Sequence, residues 1–199
     1  EAFFSTGSVS AGTGDDNEEL YMQYAYGLNL NSSFNGEDLF TVGIETGNAS
    51  GPLASMDSAV APTTNDQLEV SSLFYSFPVG DLQITGGPLV AQDDIVAATA
   101  SAYSDTFRLS AFPYSLAGAE EGPGIAVEYA TDNGIVASAS LVSPDGADSS
   151  KGINTDTGND VTTFTLGYNG DGFGGGVVIA SNDGDRNTDG YDTFGGGIY

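Results

Sequence analysis

The chain has 199 residues, enough for one large β domain or at most two small ones, and its 28 acidic residues against three basic ones give a net charge of −25. This balance argues against a nucleic-acid partner, because phosphate binding requires clustered lysine and arginine side chains. The absence of cysteine excludes disulfides and cysteine nucleophiles, and the absence of histidine removes the commonest general base and zinc ligand. Catalysis by paired carboxylates is the enzyme chemistry that this composition leaves open.

The first predicted element is a β-hairpin. Apolar and polar residues alternate over 20–32 and again over 39–47, as expected of strands with one apolar face. Asn35 and Gly36 between the two stretches supply the positive φ that a tight turn needs. The apolar face of this hairpin carries Leu28, Leu30, Phe40, Val42 and Ile44, and the polar face carries Asn29, Asn31, Thr41 and Glu45.

The remaining predicted strands follow from the same kind of alternation. They span 67–77, 82–87, 124–130, 135–142, 161–168, 173–181 and 191–199. The strand over 67–77 is apolar on both faces near its turn. A β-bulge or a second surface buried between subunits would explain this departure from alternation.

The links between strands alternate between short turns and long polar segments. The long segments cover 48–66, 88–123, 143–160 and 182–190 and are rich in Asp, Asn, Ser, Thr and Gly. Short turns at one end and long polar loops at the other are typical of an up-and-down barrel built from hairpins. Within the longest link, 93–104 has the composition of a short helix capped by an aspartate.

Periodicity alone does not decide which face of the strands is wet. In a soluble sandwich the apolar face packs into a core, whereas in a membrane barrel it contacts lipid and the polar face lines a lumen. Three features favour the barrel: aromatic residues near strand ends, few charges within strands, and an apolar face of modest bulk. The predicted fold class is therefore all-β, a transmembrane antiparallel up-and-down β-barrel with about eight or nine strands in this chain.

On this interpretation the polar face of the strands lines a pore. The predicted lining residues are Asn29, Asn31, Thr41, Glu45 and Glu128. The longest link carries Asp93, Asp94 and Arg108, and it would narrow the lumen if it folded inward. For Arg108, pairing with a loop acid is the simpler interpretation.

The segment 185–190 fits the start of a calcium-binding loop. Asp185, Asn187 and Asp189 occupy alternate positions and Gly190 follows them. Neither the EF-hand form nor the propeller form of such a loop finds its final acid at the required place. These three side chains are the candidate metal ligands, and an exposed polar loop without metal is the alternative.

Two stretches together point to a known family. SSFNGEDL follows an asparagine-rich strand, and YSFPVG forms the turn of the next predicted hairpin. They resemble the first two barrel hairpins of cyanobacterial outer-membrane porins, which are also labelled iron-uptake or carbohydrate-selective porins. The matching residues are Ser33, Phe34, Gly36, Asp38, Leu39, Gly47 and Asn48, then Tyr75, Phe77, Pro78 and Gly80.

The resemblance implies that residues 1–199 are a β-barrel porin domain in the outer membrane. It implies a fragment of a barrel of about sixteen strands, without the N-terminal wall-anchoring domain and the C-terminal strands. It also implies passive diffusion of small hydrophilic solutes, contact with outer-membrane lipid, a homotrimer, and neither catalysis nor a resident cofactor. An acidic lumen would favour small inorganic cations. The alternatives are a secreted or surface β-rich binding module with a calcium-binding loop at 182–192, and an acidic glycan hydrolase.

Overall fold

The computed structural model describes residues 2–7, 21–48, 66–98, 121–185 and 188–198. The strands are β1 (Ala2–Gly7), β2 (Tyr21–Ser32), β3 (Leu39–Gly47), β4 (Glu69–Val79), β5 (Leu82–Ala91), β6 (Glu121–Ala130), β7 (Ile135–Val142), β8 (Val161–Asn169), β9 (Gly174–Asp185) and β10 (Thr188–Ile198), with a short 3-10 turn (Gln92–Ile95) after β5. They belong to one sheet whose strand order follows the chain, with antiparallel pairing. The all-β, up-and-down class is thereby confirmed. In the described part of the chain, no helix is long and apolar enough to cross a membrane.

The chain divides into two compact units. Among the described residues, the first unit holds β1, β2 as far as Leu30, β3 from Val42 onward, and residues 66–71. Within it, Asn48 after β3 is tied to β2, because its side-chain Oδ1 accepts from the Tyr24 N–H at 2.9 Å and its own N–H donates to the Tyr24 carbonyl at 3.1 Å. The second unit holds the other described residues and most of the candidate site.

Most predicted strands are present with similar bounds. β3 and β7 begin and end where the alternation placed them, whereas β5 and β9 continue for several residues beyond the predicted ends. β1 was not predicted. A glycine at positive φ occupies each of the four turns that the sequence predicts as short: Gly36, Gly80, Gly134 and Gly172. For Gly36 this confirms the expectation drawn from the Asn35–Gly36 pair.

The predicted helix over 93–104 is wrong where the structure describes it. Helical geometry is limited to the 3-10 turn, and Val96 is already extended, with φ −111° and ψ 125°. The N–H groups of Ala97 and Ala98 donate to side-chain hydroxyls of the sheet, so they do not continue a helix. The rest of the predicted helix lies outside the described residues.

The link predicted over 182–190 is not a long loop. β9 runs to Asp185 and β10 starts at Thr188, and the two strands pair in register down to that point. The polar residues of this stretch therefore form the arms of a hairpin. Composition was misleading here because a strand arm with exposed side chains needs no apolar alternation.

A β-bulge is one explanation that the sequence offers for the two apolar faces of the strand over 67–77, which corresponds to β4. The bulge is present, but its extra residue lies in the neighbouring strand β5. The pairing of β5 shifts by one residue against both β4 and β6, around Gly87 and Pro88. A bulge tolerates a proline because one ladder N–H is lost there anyway. β4 carries apolar residues on both faces because Phe74 packs against a small buried cluster: Val90, Ile95, Ala126 and Val142.

Candidate functional site

The two faces of β7, β8 and β9 differ in an unusual way. On one face the large apolar side chains of Phe164, Leu166, Val177 and Ile179 are 53–55% exposed. The opposite face is buried. On β7 and β8 it carries the hydroxyl groups of Ser138, Ser140, Thr163 and Thr165, and on β9 it carries Val178 and Ala180. We call these the apolar face and the hydroxyl face. A sheet in water has the reverse arrangement, with its apolar side chains covered.

Two of the predicted lining residues meet in the turn region of β2 and β3. Thr41 is buried, and its Oγ1 donates to Oδ1 of Asn31 at 3.0 Å. Asn29 and Asn31 are exposed. Glu45 is half-buried in β3 and lies in the first unit. The structure therefore brings Asn31 and Thr41 together, as the alternation indicated.

Glu128 lies on the hydroxyl face of the second unit. Its register partners are Gln83 on β5 and Ser138 on β7, and Ser138 in turn pairs with Thr165 on β8. Paired residues in a sheet project to the same side. The half-buried Glu128 carboxyl therefore belongs to a continuous polar row across four strands.

The segment after β5 folds across the hydroxyl face. Gln92, Ile95 and Ala98 are buried, and Nε2 of Gln92 donates to Oγ1 of Thr163 at 2.8 Å. We call residues 92–98 the inner segment. Gln92, at the start of the segment, bonds to Thr163, and Ala98, at its end, bonds to Thr165. Thr163 is closer than Thr165 to the end of β8 where the long link enters, so the inner segment runs along the sheet toward the short turns.

The far end of the inner segment is held by backbone hydrogen bonds. The N–H of Ala97 donates to Oγ of Ser138 at 3.0 Å, and the N–H of Ala98 donates to Oγ1 of Thr165 at 3.3 Å. These two hydroxyls also bond to each other at 2.6 Å. From the turn side, Nδ2 of Asn169 donates to the Ala97 carbonyl at 3.2 Å. The backbone N–H and C=O groups of Ala97 and the N–H of Ala98 no longer pair with a strand, and side chains of the sheet supply their hydrogen-bond partners instead.

Asp93 and Asp94 lie on the inner segment with exposed side chains, opposite in direction to Gln92 and Ile95. The neighbouring sheet removes part of the water around Asp94, and Asp93 adds a like charge, so both effects raise the pKa of Asp94 above its ordinary value. Arg108, the third candidate of this link, lies outside the described residues. Only the two acids can therefore be placed beside the hydroxyl face.

Asp38 organises the turn between β2 and β3. Its carboxylate accepts from the Ser33 hydroxyl at 2.6 Å, from the N–H groups of Phe34 and Asn35 at 2.9 and 3.0 Å, and from the hydroxyl of Tyr75. These donors, Ser33 first and Tyr75 next, hold the pKa of Asp38 well below its usual range. The carboxylate thus joins the turn to β4.

Replacing Asp38 by asparagine should lower the urea concentration at half-unfolding at pH 7, because hydrogen bonds to an ionised acceptor are stronger than those to a neutral amide. The folded-state pKa lies below the unfolded value of about 3.9, so the charge stabilises the fold above that pH and the gain is lost as pH falls through the folded-state pKa. The difference in stability between the two proteins should therefore shrink as the pH falls below about 3.9. Unfolding from pH 7 to pH 2 followed by circular dichroism checks this.

Glu37→Gln is the matched control, since Glu37 is an exposed acid in the same turn. It should unfold like the wild type at neutral pH. An Asp38→Asn variant that equals the wild type at pH 7, or one whose deficit is as large at pH 2 as at pH 7, would contradict the assignment.

The candidate calcium ligands are only partly placed. Asp185 ends β9 and Asp189 lies in β10, whereas Asn187 is outside the described residues. Across the side chains that the structure describes, no three His, Cys, Asp or Glu residues are grouped so that they could hold a metal ion. In the neighbouring loop, Nζ of Lys151 pairs with Asp145 at 2.7 Å and lowers the pKa of that carboxyl. The calcium site therefore stays a prediction.

Sequence reasoning missed the residues that hold the inner segment. Gln92 was not singled out, and Ser138, Thr163 and Thr165 were treated as ordinary strand residues. The alternating hydroxyls of VASAS and VTTFT were the available signal, because hydroxyl groups on the covered face of a strand require polar partners. Comparison with models of protein families, with curated proteins and with solved structures finds no match to this chain.

Proposed function

We propose that this chain forms part of an outer-membrane diffusion channel, a transmembrane up-and-down β-barrel that passes small hydrophilic solutes without catalysis. The apolar face contacts lipid, and the hydroxyl face lines the water-filled lumen. One observation carries the proposal: the large side chains of β8 and β9 are exposed and apolar, while the covered side of β7 and β8 carries the hydroxyls of Ser138, Ser140, Thr163 and Thr165. Alternation of apolar-out and polar-in residues is the pattern that lipid requires of a barrel strand.

Aromatic residues at the short turns support the same interpretation. Phe34 and Tyr75 lie with ring centres 6.1 Å apart, Tyr75 stacks on Phe77 at 5.5 Å, and Tyr168 stacks on Phe173 at 5.2 Å. Membrane barrels carry girdles of aromatic side chains where the apolar band meets the interface. On this proposal, the short turns lie at the periplasmic end.

The charges favour cations as the transported species. Glu128 lies on the hydroxyl face, and Asp93 and Asp94 project from the inner segment that crosses it. Carboxylates in a confined lumen raise the local concentration of cations and repel anions. We therefore propose small inorganic cations as the favoured solutes. The outer-membrane location and the homotrimer rest on the resemblance of the first two hairpins to the porin family.

Reconstitution into planar lipid bilayers tests the proposal. The purified chain should give stepwise increases in conductance. Under a gradient of potassium chloride, the reversal potential should have the sign expected for cation selectivity. A protein that is monodisperse without detergent and gives no conductance steps would refute the channel. Conductance with anion selectivity would refute the cation preference alone.

A further inference from the structure

The inner segment contacts the sheet at a place where side chains are missing. Gly167 on β8 and Gly176 on β9 are register partners, and Ala98 lies over them and is 2% exposed. A Cβ added at Gly167 would lie 2.8 Å from the Cβ of Ala98, and one at Gly176 would lie 2.9 Å from it. Non-bonded carbons pack at about 3.5–4.0 Å, so the segment can lie this close to the sheet only while both positions lack a side chain.

We propose that Gly167, Gly176 and the hydroxyl pair of Ser138 and Thr165 form a seat for Ala98, and that this seat sets the free width of the pore. The inference rests on the proposed channel function and deepens it. Hydrogen bonds from the Ala97 and Ala98 N–H groups fix the segment along the strands, and the two glycines fix its distance from the wall. These four are positioning residues, since they act through the inner segment.

Of the two glycines, Gly176 is the better position for a test by substitution, because an added Cβ there disturbs the sheet less than one at Gly167. A Cβ at Gly167 would also approach the Gly175 carbonyl oxygen to 2.7 Å, which would strain the sheet itself. At Gly176 the next nearest atom after Ala98 is the Leu166 carbonyl oxygen at 3.3 Å. Gly176→Ala therefore chiefly pushes Ala98 off the wall, by about 1 Å if normal carbon contact is restored.

Single-channel recording of Gly176→Ala in planar bilayers should give a mean conductance below that of wild-type channels, because the segment is displaced toward the lumen. The double variant Gly176→Ala/Ala98→Gly should restore the wild-type conductance, since the colliding methyl is gone. Gly27→Ala is the matched control, a strand glycine with no atom within 4 Å of its added Cβ. A conductance equal to or above the wild type, or a fall that Ala98→Gly does not reverse, overturns the proposal.

A second measurement does not depend on conduction. The chain has no cysteine, so Asp93→Cys carries a nitroxide spin label at one place. In detergent micelles, Ser138→Ala should raise the mobility of this label, because Ala97 loses its acceptor. Ser140→Ala should leave it unchanged, since no hydrogen-bond partner of Ser140 Oγ is found among the described residues. Equal mobility in both variants overturns the seat. If the wild type forms no channels, the proposed function is overturned instead. The mobility of the spin label would then still show whether Ser138 holds the inner segment against the sheet.

Discussion

Replacing Phe164 by lysine should destabilise the protein in lipid vesicles by roughly 2–4 kcal/mol, because a charge placed near the middle of the lipid-facing band loses its hydration. Phe164 is the appropriate position because its register partners on either side are Ala139 and Ile179, so it lies within the apolar face rather than at its margin. In a sheet that faces water, the same exposed substitution would change stability by no more than about 0.5 kcal/mol. Urea unfolding in vesicles followed by circular dichroism separates the two cases.

Ser149→Lys controls for the added charge, because Ser149 is exposed in the long link after β7. This variant should unfold at the wild-type urea concentration. If Phe164→Lys also does so, or if it remains soluble and monodisperse without detergent, the apolar face does not contact lipid. The prediction thus tests the orientation of the sheet without requiring any transport measurement.

Neutralising Asp93 and Asp94 together should weaken cation selectivity. A carboxylate about 8 Å from a permeating ion contributes about 0.5 kcal/mol in water, so loss of two charges lowers the local cation concentration about fivefold. Asp93→Asn/Asp94→Asn should therefore move the reversal potential in a potassium chloride gradient toward zero. Conductance steps should persist, because neither side chain holds the inner segment to the sheet.

Asp132→Asn/Asp171→Asn is the matched control. It removes the same number of charges from exposed positions in two short turns, outside the inner segment. Its reversal potential should stay closer to that of the wild type. Equal shifts in the two double variants would mean that selectivity reflects the overall negative charge of the chain and not the acids of the inner segment.

Local features of the strands were well predicted from the sequence, for a physical reason. Alternation with period two and glycine at turn positions act within a few residues, so the bounds of β3 and the turn at Gly36 follow from the chain alone. Where local signals were weak, the predictions failed. The polar arms of the hairpin around Asp185 lack apolar residues in alternation, and the bulge at Gly87 depends on pairing with two neighbouring strands.

Some features of the candidate site likewise follow from the sequence, and others depend on tertiary contacts. The sequence by itself determined the acidic charge, the lack of histidine and cysteine, the up-and-down order of strands, and the polar phase that contains Thr41 and Glu128. Only the tertiary structure decided that Gln92 bonds to Thr163 and that Ala98 lies over Gly176. Contacts between residues about 70 positions apart depend on how the segment after β5 folds back, and no short-range pattern encodes that path.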